Sequence, residues 1–119
     1  MNHGRKISGG KYHALRKKRK FEHAGESRKT LLGERKVKTL RTRGGHEKKV
    51  LLKENTVNVL VDKKVKPAKI INVLETPQNR FFARQNVLFK GSIIETSLGK
   101  AKITNRPSQE GQVNAILIK

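Results

Sequence analysis

A run of cations lies beside a glycine pair near the start of the chain. Residues 9–22, GGKYHALRKKRKFE, contain six Lys or Arg and one acid, at the last position. Lys and Arg side chains bind phosphate oxygens, and Arg can do so through two parallel N–H donors. A glycine pair allows the backbone to approach a phosphate closely and to present its N–H groups. Two such pairs, Gly9-Gly10 and Gly44-Gly45, stand near Arg and Lys, so the chemistry predicted here is the binding of a polyanion.

Positive charge is in excess along the whole chain of 119 residues, whose net charge is +20. Residues 1–49 contain 17 Lys and Arg against four Asp and Glu, and residues 50–119 contain 12 against five. Self-repulsion of this size destabilises a compact chain unless an external polyanion relieves it. The run LRKKRK alone would also fit a solvated surface or a nuclear-localisation signal. Because a transport tag would be local, we favour polyanion binding.

The candidate phosphate contacts fall into three groups. The first lies in the N-terminal segment and comprises Arg5, Lys6, Ser8, Gly9, Gly10, Lys11, Arg16, Lys17, Lys18, Arg19 and Lys20. The second surrounds the later glycine pair and comprises Arg41, Arg43, Gly44, Gly45 and Lys48. The third rests on charge alone and comprises Arg80, Arg84 and Arg106.

The sequence offers no catalytic or metal-binding pattern. None of the nine acids forms a close paired motif, and GxSxG, HExxH and GxxxxGK[ST] are all missing. There is no cysteine, and the four histidines at positions 3, 13, 23 and 46 lack the spacing of a zinc site. We therefore expect neither an enzyme nor a protein that holds a metal, a cofactor or a small-molecule substrate.

The chain has only five aromatic residues, which argues against recognition of single strands by base stacking. LFKGSI at 88–93 lacks the aromatic spacing of an RRM, no KH loop is present, and a zinc finger is impossible without cysteine. Phe81 and Phe82 are predicted to anchor a helix in the core instead of stacking on bases. What remains is recognition of phosphates and shape, which suits a folded RNA best. A DNA-compacting protein stays open as an alternative.

Composition divides the chain into two parts. Residues 1–35 form a basic arm with few apolar residues, which we expect to be disordered in the free protein. Residues 36–119 form one small domain. The N-terminus lacks the apolar region of a signal peptide, and apolar runs are too short to span a membrane. A cytoplasmic protein without a membrane partner is expected.

Short β-rich runs separated by turn residues predict the fold of the domain. Residues 36–43 and 48–52 suggest a hairpin around Gly44-Gly45, and residues 92–104 suggest a second hairpin around Leu98-Gly99-Lys100. In one strand, Val57, Val59 and Val61 are predicted to share a face. In the next strand, Ile71 and Val73 are predicted to share one face, with Ile70 and Leu74 on the opposite face. In the last strand, Val113, Ala115 and Leu117 are predicted to share a face. The three prolines, Pro67, Pro77 and Pro107, are expected between strands. The predicted fold class is mainly β, a small closed or partly open β-barrel of about six short strands.

One short helix is also predicted. Thr76 and Pro77 fit an N-cap and a first helical position, and the helix would continue to about Asn86. Arg80 and Arg84 would then lie on one face.

The sequence resembles a known family over essentially its whole length. The segments that carry the resemblance are RKISGGKYHALRKKRKFEHAG (5–25), KVKTLRTRGG (36–45), NRFFARQNVLFKG (79–91) and KGSIIETSLGKAKITNRPSQEGQVNAILI (90–118). They are similar to the archaeal and eukaryotic type of small-subunit ribosomal protein, family eight ("S eight e"), in its short archaeal form. The most specific signature is SGG followed by the Arg/Lys run.

The resemblance implies a β-barrel body, an N-terminal arm buried in small-subunit ribosomal RNA, and no enzymatic activity. It assigns RNA contacts to Ser8, Gly9, Gly10, Arg16, Lys17, Lys18 and Arg19 in the arm and to Arg41, Arg43, Gly44 and Gly45 in the loop. Acids at positions 34 and 47 interrupt the basic surface. The expected partners are ribosomal RNA and neighbouring small-subunit proteins, without homo-oligomers. A ribosome-assembly factor with a similar domain is the alternative.

Overall fold

The computed structural model describes residues 4–13 and 15–118. The first three residues of the predicted arm, with His3 among them, and also Ala14 and the terminal Lys119 lie outside this part. Within it the regular elements follow in the order β1 (Leu31–Leu32), β2 (Lys36–Arg41), β3 (Glu47–Glu54), β4 (Thr56–Val61), β5 (Lys64–Glu75), α1 (Arg80–Arg84), β6 (Ile93–Thr96), β7 (Gly99–Ile103), α2 (Pro107–Glu110) and β8 (Asn114–Leu117). Two 3₁₀ turns, Lys20–Glu22 and Arg43–Gly45, precede β1 and β3.

Five strands close a barrel in the order β4-β5-β6-β7-β8. Neighbours in this series are antiparallel, and the parallel pairing of β8 with β4 completes the ring. The predicted mainly β fold with a barrel is confirmed. The barrel has five strands instead of about six because the first predicted hairpin belongs to a separate sheet.

That hairpin consists of β2 and β3, which pair from Lys36 opposite Lys53 to Arg41 opposite Glu47. The two-residue strand β1 adds to β3 in parallel and makes a three-stranded sheet in the order β1-β3-β2. Leu51 of β3 is fully buried in the core of the barrel. The hairpin is therefore confirmed as a local structure, and its buried leucine ties the second sheet to the first.

The alternation of buried residues holds in the first and last strands of the barrel. Val57 and Val59 are buried in β4, and Val113 and Ala115 are buried at β8, as their period of two predicts. In β5 the prediction for Ile71 is wrong, because Ile70 and Val73 are buried while Ile71 is exposed. The pairing with β6 shifts between Ile70 and Asn72, and such a bulge turns the following residues to the opposite face.

The predicted helix is shorter than expected. Its N-cap is Asn79, whose side-chain oxygen accepts a hydrogen bond of 2.9 Å from the Phe81 N–H, and it ends at Arg84. Thr76 is buried instead, where its hydroxyl accepts a 3.4 Å hydrogen bond from Ser92. Thr76 is therefore not the N-cap, and Pro77 lies in the turn before the helix instead of at its first position.

Pro67 lies inside β5, opposite Asn58 of β4, and not between strands as predicted. The pairing of β6 with β5 begins only at Ile70. Pro67 therefore occupies a stretch of β5 that has a neighbour on one side, where a missing N–H interrupts no second ladder.

The last residues of the predicted arm pack against the body. The Leu88 N–H donates to the Thr30 carbonyl at 2.7 Å, and the Leu32 N–H donates to the Asn86 carbonyl at 3.0 Å. Thr30 is buried, and its hydroxyl donates to the Leu51 carbonyl at 2.8 Å. Residues before this anchor extend outward, which gives a radius of gyration of 21.3 Å. A compact chain of this length would have a radius of about 13–14 Å.

Candidate nucleic-acid interface

The tip of the arm is a tight turn that gathers three of the predicted cations. The Gly9 N–H donates to the Lys6 carbonyl at 2.8 Å, and the Lys6 N–H donates to the Gly10 carbonyl at 2.9 Å. Arg5 then pairs with Lys11 across a single β-bridge. The sequence prediction placed these residues only within one segment, whereas the turn brings Arg5, Lys6 and Lys11 to one place.

Contacts within the turn occupy some of the groups predicted to meet phosphate. The Gly9 N–H is used by the turn, and the Arg5 guanidinium donates to the Gly9 carbonyl at 3.1 Å. No atom lies within 4 Å of the position that a Gly9 side chain would take, so the backbone is open to an approaching ligand. Ser8, Gly10 and Lys11 are exposed in the same turn.

The cationic run of the arm is exposed from Arg16 to Lys20. Arg16 is held by Glu22, to which it donates two hydrogen bonds of 3.0 and 2.5 Å. The Glu22 carboxylate also accepts the Arg19 N–H at 2.9 Å. The hydrogen bonds from Arg16 and then from Arg19 lower the pKa of Glu22, and the bond to Glu22 raises the pKa of Arg16. Glu22 thus organises the end of the run and leaves Lys17, Lys18 and Lys20 pointing to solvent.

The second predicted group lies at the tip of the β2–β3 hairpin. Thr42 closes the loop by donating its N–H and its hydroxyl to the His46 carbonyl, at 2.7 and 2.9 Å. Gly44 and Gly45 have φ values of 82° and 78°, a left-handed conformation that glycine adopts without strain. Arg41, Arg43 and Lys48 are exposed around this loop, and Arg41 lies opposite Glu47 in the register.

The isolated arginines lie elsewhere on the body. Arg80 and Arg84 are the first and last residues of α1, both exposed, with the Arg84 guanidinium 6.0 Å from the centre of the Phe81 ring. This arrangement agrees with the predicted common face. The prediction that Phe81 anchors the helix in the core is wrong, because its side chain is 57% exposed. Phe82 is half-buried and stacks on Phe89 with 5.1 Å between ring centres.

Arg106 lines a cleft that the sequence did not reveal. The cleft has a volume of about 770 Å³ and lies between the root of the arm, at residues 25–28, and the loops at one end of the barrel. Arg28 and Lys90 line it together with Arg106, and Glu26 is the one acid in the lining. The sequence analysis did not select Arg28 or Lys90 as a phosphate contact, and only the folded chain brings these three cations to one cleft.

Few of the Lys and Arg side chains form an ion pair with an acid among the described residues. In the part of the chain that the structure describes, two ion pairs form: Arg16 with Glu22, and Arg35 with the buried Glu54 at 3.2 Å. The other Glu54 oxygen accepts the Thr56 hydroxyl at 2.9 Å. Since the chain has 29 Lys and Arg, most of its positive charge is left for an external anion.

Alternative types of site are missing from residues 4–13 and 15–118. No group of three or more His, Cys, Asp or Glu converges there as a metal site would require. None of the helices in this part has the length and apolar character needed to cross a membrane.

Comparison with known proteins assigns the chain to a family. The sequence pattern described as ribosomal protein S8e matches residues 1–118. The chain belongs to the ribosomal protein S8e family. Members of this family are structural proteins of the ribosome and not enzymes.

Several archaeal proteins with the name small ribosomal subunit protein eS8 are close relatives. The protein from Nanoarchaeum equitans is 47% identical over 116 residues, which cover 96% of this chain and 91% of that protein. The protein from Methanococcus aeolicus is 46% identical over 117 residues, with the same coverage of both chains. The protein from Methanosarcina barkeri is 46% identical over 116 residues, covering 96% and 93%. The resemblance to the short archaeal form of the S8e family is therefore confirmed.

Proposed function

We propose that this S8e-family chain is a structural component of the small ribosomal subunit that binds folded small-subunit ribosomal RNA. The contacts are ionic and reach phosphates from three places: the arm, the tip of the β2–β3 hairpin, and the cleft lined by Arg28, Lys90 and Arg106. The names of the archaeal relatives support the assignment to the small subunit.

The observation that carries this proposal is the unneutralised charge. Two ion pairs occupy cations in the described residues, while the net charge of the chain is +20. Flexible cationic side chains release condensed counterions when they meet phosphates, and this release drives association. The turn at the arm tip and the glycine loop of the hairpin carry these cations on narrow, exposed segments. Segments of this kind fit between packed RNA helices.

The test compares two variants with the same net charge. In the arm variant, Lys11, Lys17, Lys18, Arg19 and Lys20 are replaced by Gln; in the barrel variant, Lys64, Lys66, Lys69, Lys100 and Lys102 are replaced by Gln. Affinity for a transcript of archaeal small-subunit ribosomal RNA is measured as a function of salt. For the unmodified chain we expect the slope of log K against log salt to be about −5 to −9, for eight to ten phosphate contacts.

In the arm variant the slope should become shallower by about 3.5 to 4.5, and in the barrel variant by less than about 1. Equal losses in the two variants would mean that total charge matters and the arm does not. A slope shallower than about −2 for the unmodified chain would contradict ionic binding altogether. Equal affinity for duplex DNA at matched salt would favour a DNA-compacting protein.

A further inference from the structure

An exposed apolar patch lies on the outer surface of the barrel. Leu60 of β4 pairs with Val65 of β5 on one side and with Ile116 of β8 on the other. Residues paired across strands have neighbouring side chains on one face. Ile118 follows Ile116 by two residues and continues the same face of the chain. The exposed fractions of these four side chains are 38% for Leu60, 64% for Val65, 47% for Ile116 and 42% for Ile118.

Cations form the border of this patch. Lys102 pairs with Ile116 in the register, and Lys100 accepts a hydrogen bond at its carbonyl from the Ile118 N–H at 2.9 Å. Lys63 and Lys64 lie at the β4–β5 turn beside Asp62, and Lys100 pairs with the exposed Glu95 of β6 in the register. The patch is thus apolar at its centre, and its edge carries four lysines against two acids, a net positive charge.

The patch is separate from the proposed RNA contacts. None of the candidate phosphate contacts lies on β4, β5, β7 or β8. Phosphates gain nothing from four aliphatic side chains, because these side chains provide neither charge nor hydrogen-bond donors. A second copy of the chain would bring another net charge of +20 against the same lysines, and such repulsion opposes self-association.

We infer that this patch, Leu60, Val65, Ile116 and Ile118 with its lysine border, docks another protein of the small subunit. The docked segment has apolar side chains at its centre and Asp or Glu at its edges. The apolar centre stabilises the contact by removing aliphatic surface from water, and the charged border selects the partner. This inference rests on the proposed function, since it places the partner in the same subunit.

The test uses a photo-crosslinking residue in the complete chain. Small subunits are reconstituted from archaeal ribosomal RNA and proteins with a chain that carries Val65→p-benzoylphenylalanine. The control carries Lys69→p-benzoylphenylalanine, an exposed position on the same strand but outside the patch. Irradiation should crosslink position 65 to one protein segment of the stated composition, with a yield about tenfold above that of the control.

A second variant separates docking from RNA binding. Leu60→Ser and Ile116→Thr, added to the Val65 crosslinker, should lower the yield about tenfold. Affinity for the RNA should change by no more than about twofold, because neither residue is a candidate phosphate contact and substitutions at exposed positions leave the fold largely intact.

Three results would overturn the inference: crosslinks to RNA, crosslinks to a second copy, or a yield equal to that of the control. In each of these cases the chain still enters the subunit, so the proposed function stands. Failure of the unmodified chain to enter the subunit would overturn both.

Discussion

Glu22 is one of four acids among the first 49 residues, and it holds the end of the cationic run in a defined turn. Its carboxylate accepts hydrogen bonds from Arg16 and from the Arg19 N–H. A single side chain therefore gives local order to a segment that otherwise consists of mutually repelling charges. RNA would have to compete with Glu22 for Arg16, but not for Lys17 and Lys18.

This turn should depend on pH. Because its hydrogen bonds lower the pKa of Glu22, the carboxylate stabilises the turn fully at pH values above the ordinary glutamate pKa. The stabilisation is lost as the pH falls through the lowered pKa. NMR should show the Arg19 amide moving toward its random-coil shift over that range, together with the Glu22 side-chain signal. Glu22→Gln should remove the pH response of Arg19, and a response that persists in this variant would contradict the assignment.

Arg35 and Glu54 form the second ion pair, and here the acid is buried. Arg35→Gln would leave one Glu54 oxygen without its cationic partner. Because Arg35 itself is largely exposed, solvent screens part of the interaction, and we expect a loss of about 1–2 kcal/mol in the free energy of unfolding. Urea denaturation measures this loss. Lys38→Gln, an exposed cation on the neighbouring strand, serves as the control and should change stability by less than about 0.5 kcal/mol. Equal losses in the two variants would contradict a stabilising ion pair between Arg35 and Glu54.

At the scale of elements, the contact between α2 and β3 joins the two sheets. Gly111, the residue after α2, has a φ of 72° and hydrogen-bonds to the Pro107 carbonyl. A side chain at this position would lie 2.9 Å from the Lys49 Cβ and 3.3 Å from the Lys49 carbonyl oxygen. Only glycine fits both the backbone conformation and the spacing between the elements.

Gly111→Ala should therefore destabilise the protein more than the backbone conformation alone would explain. Gly91→Ala is the matched control, because Gly91 has a φ of 85° and its nearest atom, the Gln78 Nε2, would be 3.6 Å away. We expect a loss of about 1 kcal/mol for Gly91→Ala and about 2–4 kcal/mol for Gly111→Ala in urea unfolding. If the two variants lose similar stability, Lys49 can move away from the new side chain at position 111 at no energetic cost.

For the whole molecule, the important division is between residues 30–32, which are hydrogen-bonded to the body, and the extended arm that precedes them. Before Lys29 the arm has little buried apolar surface, so outside the Glu22 turn we expect it to be disordered in the free protein and ordered on RNA. NMR of the free chain should show sharp, random-coil amides for the arm outside the turn at residues 16–22, and dispersed amides for the strands.

The same experiment should locate the anchor. The amides of Leu32 and Leu88 should be protected from hydrogen exchange, because they donate to Asn86 and Thr30 in the folded body. Rapid exchange at these two positions would contradict the anchor, and dispersed amides in the free protein at arm residues outside 16–22 would contradict ordering by RNA.

The sequence alone determined the need for an anionic partner, since net charge and its distribution follow directly from composition. It also determined both hairpins and the buried faces of β4 and β8, because glycine turns and alternation by two are local properties. The motifs from SGG onward identified the S8e family.

Only the tertiary structure decided how these parts combine. The bulge that exposes Ile71, the separation of β2–β3 from the barrel, and the loss of Thr76 as a helix cap all depend on partners distant in the chain. The same is true of the cleft that gathers Arg28, Lys90 and Arg106, and of the apolar patch around Leu60. Pairing register and barrel closure are long-range properties, and they set which side chains meet and which remain open to a partner.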